Sequence, residues 1–148
     1  MSHKAGQQLA QLAPKIMGAF HDLGQQHPKG EHLSMRQYQA LIIVHANGKL
    51  SLKSFCEKLA LAPSTGTELA NRMIELGFIC KVGEEEDRRQ AFLTVSEKGL
   101  ELMRQRQEAL TEMFTRFLAP FSEQDRQEFV NSFDTIWKII ERYSAQKK

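Results

Sequence analysis

Between Ser34 and Val95 the chain is cut into short pieces by residues that start or stop elements, and this punctuation limits the fold more than any other feature. Ser34 offers a side-chain acceptor to a helix beginning at Met35. That helix carries Tyr38, Leu41, Ile42 and Val44 to about His45, and Asn47-Gly48 ends it. Ser51 caps a short helix over residues 51–60 that buries Leu52, Phe55 and Leu59. Only Leu61-Ala62 separates it from Pro63, which suits a first helical turn because its missing N–H would find no intrahelical partner there. The helix that Pro63 opens runs to about Leu76, with Gly77 in the usual C-terminal position. Two β-prone runs, 78–82 and 91–95, flank a polar segment and predict a long-looped hairpin.

Helix, helix, tight turn, helix, hairpin is the order of a winged helix-turn-helix over residues 35–95, with residues 63–76 as the recognition helix. Amphipathic helices flank it. Residues 7–26 carry Leu9, Leu12, Ile16, Phe20 and Leu23 at helical spacing, and Pro14 marks either a start or a kink. Ser96 opens a long helix to about Leu118, with Leu100, Met103, Leu110, Phe114 and Phe117 on one side, and Pro120 stops it. Ser122 and Asp125 open the last helix, whose stripe is Phe129, Phe133, Ile136, Ile140 and Tyr143. The expected class is mainly α with a small β-hairpin wing. Residues 1–148 form one domain, and the flanking helices, 7–26 and 97–145, dimerise. Their stripes are too apolar to stay in water, so Ile16, Leu23, Phe114, Phe133, Ile136 and Ile140 are expected at a homodimer interface.

Opposite its core face of Leu69, Met73 and Leu76, the recognition helix presents Ser64, Thr65, Thr67, Glu68, Asn71 and Arg72. Short hydroxyls followed by longer donors suit phosphates and base edges in a major groove, although the same face taken alone also reads as a solvated polar surface; with the wing that follows, double-stranded DNA becomes the expected partner. Arg88 and Arg89 near the hairpin tip suit a narrow minor groove. Glu68 faces the phosphates unfavourably. Either it accepts from a cytosine amino group, or it pairs with Arg72 four residues on, worth roughly 0.2–0.5 kcal/mol. The local pairing is the favoured reading, and it leaves Arg72 to read a guanine. Residues 47–95 hold seven Lys+Arg and seven Asp+Glu, so binding depends on where the cations sit.

Residues 59–79 read Leu-Ala-Leu-Ala-Pro-Ser-Thr-Gly-Thr-Glu-Leu-Ala-Asn-Arg-Met-Ile-Glu-Leu-Gly-Phe-Ile, and Asp87-Arg88-Arg89, Leu93-Thr94 and Glu97-Lys98-Gly99 follow. The chain resembles the MarR family of bacterial transcriptional regulators over nearly its whole length. The resemblance implies a homodimer on a pseudo-palindromic operator, most often a repressor, with affinity set by a small ligand or by oxidation. It implies that Arg89 enters the minor groove and that Asp87 orients a wing arginine. An effector would lie between the terminal helices and the winged part, near Phe20, Tyr38 and His45. Three features depart from the pattern. Gly66 replaces a branched apolar residue, at a cost of roughly 1 kcal/mol relative to Ala unless the third helix needs the space. Glu68 replaces a basic residue, and the wing carries Glu84-Glu85-Glu86 and lacks a proline.

Other functions have little support. With 41% hydrophobic and 26% charged residues in 148, the composition is that of a globular domain. The longest apolar run, Ala40–Val44, is too short to span a membrane, and Met1-Ser2-His3-Lys4 is not the start of a signal peptide. Two cysteines fit a reducing cytoplasm. Cys56 and Cys80 are both expected to be buried, and the first helix has no cysteine where peroxide-sensing relatives carry one. His21, His27, His32 and His45 fall in or between the first two helices near Glu31, but without His-x-x-x-His spacing, so no metal or other cofactor is assigned. No catalytic motif appears. The competing reading is a dimerising helical adaptor that uses the winged fold for protein contacts, which the near-neutral segment 47–95 favours.

Overall fold

The structure is a computed structural model that describes residues 2–21, 33–83 and 91–145. It is mainly helical: α1 Ser2–His21, α2 Met35–Asn47, β1 Leu50–Ser51, α3 Leu52–Lys58, α4 Pro63–Glu75, β2 Ile79–Gly83, β3 Ala91–Val95, α5 Glu97–Leu118 and α6 Glu123–Ala145. The chain forms two compact units, His27–Ala109 on one hand and Met1–Gln26 with Leu110–Lys148 on the other.

In the first unit, local chemistry sets the helix boundaries. Ser34 Oγ accepts from Gln37 N, and the Gln37 side chain accepts from Ser34 N in return, a complete capping box. Ser51 Oγ accepts from Ser54 N at 3.1 Å. Both α3 and α4 end in a Schellman turn. After α4, Gly77 takes the left-handed position at φ 84°, with Phe78 N bonding Met73 O and Gly77 N bonding Ile74 O. After α3 the same pair of bonds, Leu61 N to Cys56 O and Ala60 N to Glu57 O, forces Ala60 to φ 54°. A non-glycine residue held there costs about 1–2 kcal/mol. Ala60→Gly therefore raises stability by about 0.5–1 kcal/mol after the extra freedom of the unfolded glycine is subtracted. A denaturation midpoint at or below wild type would contradict this.

The core joins Leu41 and Val44 of α2, Phe55 of α3, Met73 of α4 and the buried Phe78, Ile79 and Leu93. Tyr38, Leu69, Leu76, Leu102 and Met103 pack around it. The fully buried stripe of α4 is Gly66, Ala70 and Met73, with the expected Leu69 and Leu76 at its margin. At Gly66 a Cβ would stand 2.2 Å from Cys56 Sγ, so this glycine admits α3.

The sheet has three strands, not the expected two, in the order β1-β3-β2, all antiparallel. β1 pairs Leu50 with Leu93 and Ser51 with Phe92. Cys56 is buried as expected, but Cys80 is exposed. Side chains alternate along β2, and only Ile79 turns into the core.

In the second unit α1 begins at Ser2, earlier than expected, and contains Pro14. Phe20 makes edge-on or tilted ring contacts with Phe114, Phe117, Phe129 and Phe133 at centroid distances of 5.5–6.3 Å. Phe121 joins through Phe117 and Phe129. Ser122 Oγ accepts from Asp125 N and caps α6.

Candidate nucleic-acid interface

Burial of Gly66, Ala70 and Met73 turns Ser64, Thr65, Glu68, Asn71 and Arg72 of α4 to solvent. Thr67 stands apart from them. It is half-buried, and its Oγ1 donates to Pro63 O at 2.7 Å, which leaves it only as an acceptor. The N-cap of α4 is Ala62, which supplies no side-chain acceptor. The first-turn N–H groups are therefore unclaimed by a capping side chain, and with the positive end of the helix dipole they favour an anion. Two hydroxyls, an amide, a guanidinium and this helix end make one face that can donate to phosphates and base edges.

The expected Glu68–Arg72 pair does not form. Arg72 Nη1 lies 3.5 Å from Glu75 Oε2, both side chains well exposed. The (i, i+3) spacing also places the two on one helix face, and the Arg72 rotamer leans toward the C-terminus. An exposed pair of this kind is worth about 0–1 kcal/mol, so DNA can displace it. Glu68 and Glu75 are both exposed on this face, and both repel phosphate.

The β2–β3 register runs from Ile79 opposite Val95 to Gly83 opposite Ala91. Asp87, Arg88 and Arg89 lie outside the described residues, as do Leu23, His27, Glu31 and His32. Lys49 was not singled out in the sequence. Its Nζ lies 4.3 Å from the Phe92 ring centroid and adds a cation at the base of the sheet.

The three residues expected near an effector differ in surroundings. Phe20 is engaged in the aromatic cluster. Tyr38 is half-buried, with the Arg106 guanidinium 5.1 Å from its ring. His45 is exposed at the end of α2. An open concavity of about 1000 Å³ runs along α6 between Glu123 and Ile136, and none of the three lines it. Among the described residues, no group of three or more His, Cys, Asp or Glu is placed to hold a metal. No helix there is long and apolar enough to cross a membrane.

Of the residues expected at a dimer interface, Phe114 is half-buried in the aromatic cluster. Ile16, Phe133, Ile136 and Ile140 are 40%, 43%, 52% and 49% exposed. Val130, Trp137 and Ile139, also exposed, widen the apolar face of α6 beyond the stripe read from the sequence.

Residues 33–91 match the family model of the MarR family. The chain is 30% identical over 83 residues to the uncharacterized HTH-type transcriptional regulator YwhA of Bacillus subtilis, covering 53% of this chain and 60% of that protein. Its fold is shared with RV1404 from Mycobacterium tuberculosis, at a TM-score of 0.75 and 16% identity over 94% of this chain and 93% of the other. The PcaV transcriptional regulator from Streptomyces coelicolor, solved with its natural ligand, is 26% identical at a TM-score of 0.60 over 88% and 89%. FabT of Streptococcus pneumoniae, solved in complex with DNA, is 15% identical at a TM-score of 0.65 over 96% and 99%. The family match covers the segment in which α2, α3, α4 and the sheet make a winged helix-turn-helix, and over that segment the chain is similar to the MarR family.

Proposed function

We propose that the chain is a cytoplasmic DNA-binding transcriptional regulator, not an enzyme, that grips a pseudo-palindromic operator as a homodimer and represses. The observation that carries this reading is the exposed face of α4. Its uncapped N-terminus, Ser64, Thr65, Asn71 and Arg72 lie opposite the buried Gly66, Ala70 and Met73. FabT, which shares the fold, was solved on DNA, and this supports a DNA partner. PcaV, solved with its natural ligand, supports small-molecule control. In this reading Arg72 reads a base, Ser64 and Thr65 hold phosphates, Asp87 orients the wing, and Arg88 and Arg89 add minor-groove affinity.

The test is a mobility shift on promoter DNA from the protein's own locus. Arg72→Ala should cost roughly 1–3 kcal/mol of discrimination at one base pair, while Arg89→Ala weakens all sequences and lowers the salt slope by about one phosphate-equivalent charge. Absence of any shift for the wild type at low salt would overturn the reading. Sequence preference unchanged in Arg72→Ala would remove Arg72 from the base contacts.

A further inference from the structure

The run Glu97-Lys98-Gly99 has no part in the DNA face. In the structure the start of α5 closes on the end of α4. The Leu76 carbonyl accepts from Lys98 Nζ at 3.0 Å, the Gly77 carbonyl from Ser96 Oγ at 2.5 Å, and the Phe78 carbonyl from Ser96 N at 3.0 Å. Three successive carbonyls just past α4 therefore each take a donor from the first residues of α5 or its cap. The Lys98 ammonium also stands 4.9 Å from the Phe78 ring centroid. A cation is favoured at this place, because unpaired carbonyls give a helix C-terminus partial negative charge. Gly99 lets the two backbones meet, since a Cβ there would lie 2.3 Å from Phe78 O.

We infer that Ser96 and Lys98 are positioning residues that lock the C-terminal turn of α4 to the start of α5 and so fix the angle at which the recognition helix is presented. Rotating α4 breaks at least one of the three bonds, and a shift in the first turn of α5 carries α4 with it. The consequence for operator binding rests on the DNA-binding reading, in which neither residue touches DNA.

Two variants test this in the full chain. Lys98→Met keeps the aliphatic stem and removes the donor. Ser96→Asp keeps an acceptor for Gly99 N, which Ser96 Oγ caps at 3.0 Å, and removes the donation to Gly77. Hydrogen exchange is followed across residues 73–80. Binding is measured at several salt concentrations to a duplex that the wild type selects from a randomised pool, and to an unselected duplex. In each variant, exchange at residues 76–78 should rise about 5- to 10-fold. The dissociation constant for the selected duplex should rise by a similar factor, with the salt slope and the unselected-duplex affinity unchanged. Lys98→Arg, which restores a cationic donor, should return both towards wild type. Unchanged exchange in both variants overturns the inference. Equal weakening on both duplexes, with the salt slope reduced by about one charge in Lys98→Met, also overturns it, because Lys98 would then be a phosphate contact. If the wild type selects no duplex, the DNA-binding reading fails, and the exchange result alone supports or overturns the lock.

Discussion

Gly99→Ala lowers the stability of the winged-helix unit by about 1–3 kcal/mol, although alanine is the better helix former by about 1 kcal/mol. The added Cβ would meet Phe78 O at 2.3 Å and Val95 Cγ1 at 2.7 Å. The nearer obstacle is backbone, so no side-chain rotation relieves it. Either α5 retreats from the end of α4, which pulls Ser96 and Lys98 from the carbonyls they serve, or the first residues of β2 shift beneath the core. Gly66 makes a useful contrast. Its obstacle is Cys56 Sγ, the end of a side chain, so Gly66→Ala should cost less. Gly18 has nothing within 4 Å, and Gly18→Ala reports helix propensity alone. Denaturant titration checks the order: the midpoint should fall for Gly99→Ala with the slope unchanged, fall less for Gly66→Ala, and not fall for Gly18→Ala. A Gly99→Ala midpoint at or above wild type would show that the α4–α5 junction yields freely.

These contacts show what could be read from the sequence and what could not. Helix starts were legible at Ser34, Ser51, Ser96 and Ser122, because a cap is a bond between residues three apart and needs no tertiary information. Pro63 and Gly77 framed α4 for the same reason. Gly66 could be read as a position for close approach, although only the packed structure shows that Cys56 is what approaches. β1 was not legible: it is two residues long and exists through its pairing with β3, about forty residues on. The lock between α4 and α5 joins residues 19 and 22 apart, and its residues look like an ordinary helix start. Arg72 was read as partnering Glu68 because spacing alone allows both that pair and the pair with Glu75; the choice is made by its rotamer. Cys80 departs from the expectation of a buried cysteine because strand alternation places it on the uncovered face of β2.

A chain carrying Ile136→Glu and Ile140→Glu sediments as a monomer and loses operator binding. On α6, Phe133, Ile136, Trp137, Ile139, Ile140 and Tyr143 are all exposed in the single chain. An apolar face this wide on one helix is not the usual surface of a monomer, and a second copy related by a two-fold axis would bury it against itself. A carboxylate placed in an interface made of this apolar face loses its hydration and meets no opposite charge there. Desolvating an unpaired charge costs several kcal/mol, enough to raise the dimer dissociation constant by at least about 100-fold. In the proposed dimer each chain would supply one recognition helix for one half-site, so losing the dimer would remove half of the contacts together with the spacing that selects a palindrome. The wild type should sediment at twice the 17.0 kDa chain mass. Asn131→Glu, on the opposite face of α6, should leave the mass unchanged, and circular dichroism should show helix content retained in both variants. A wild type of one chain mass at micromolar concentration, or a doubly substituted protein that remains dimeric, would place the interface elsewhere.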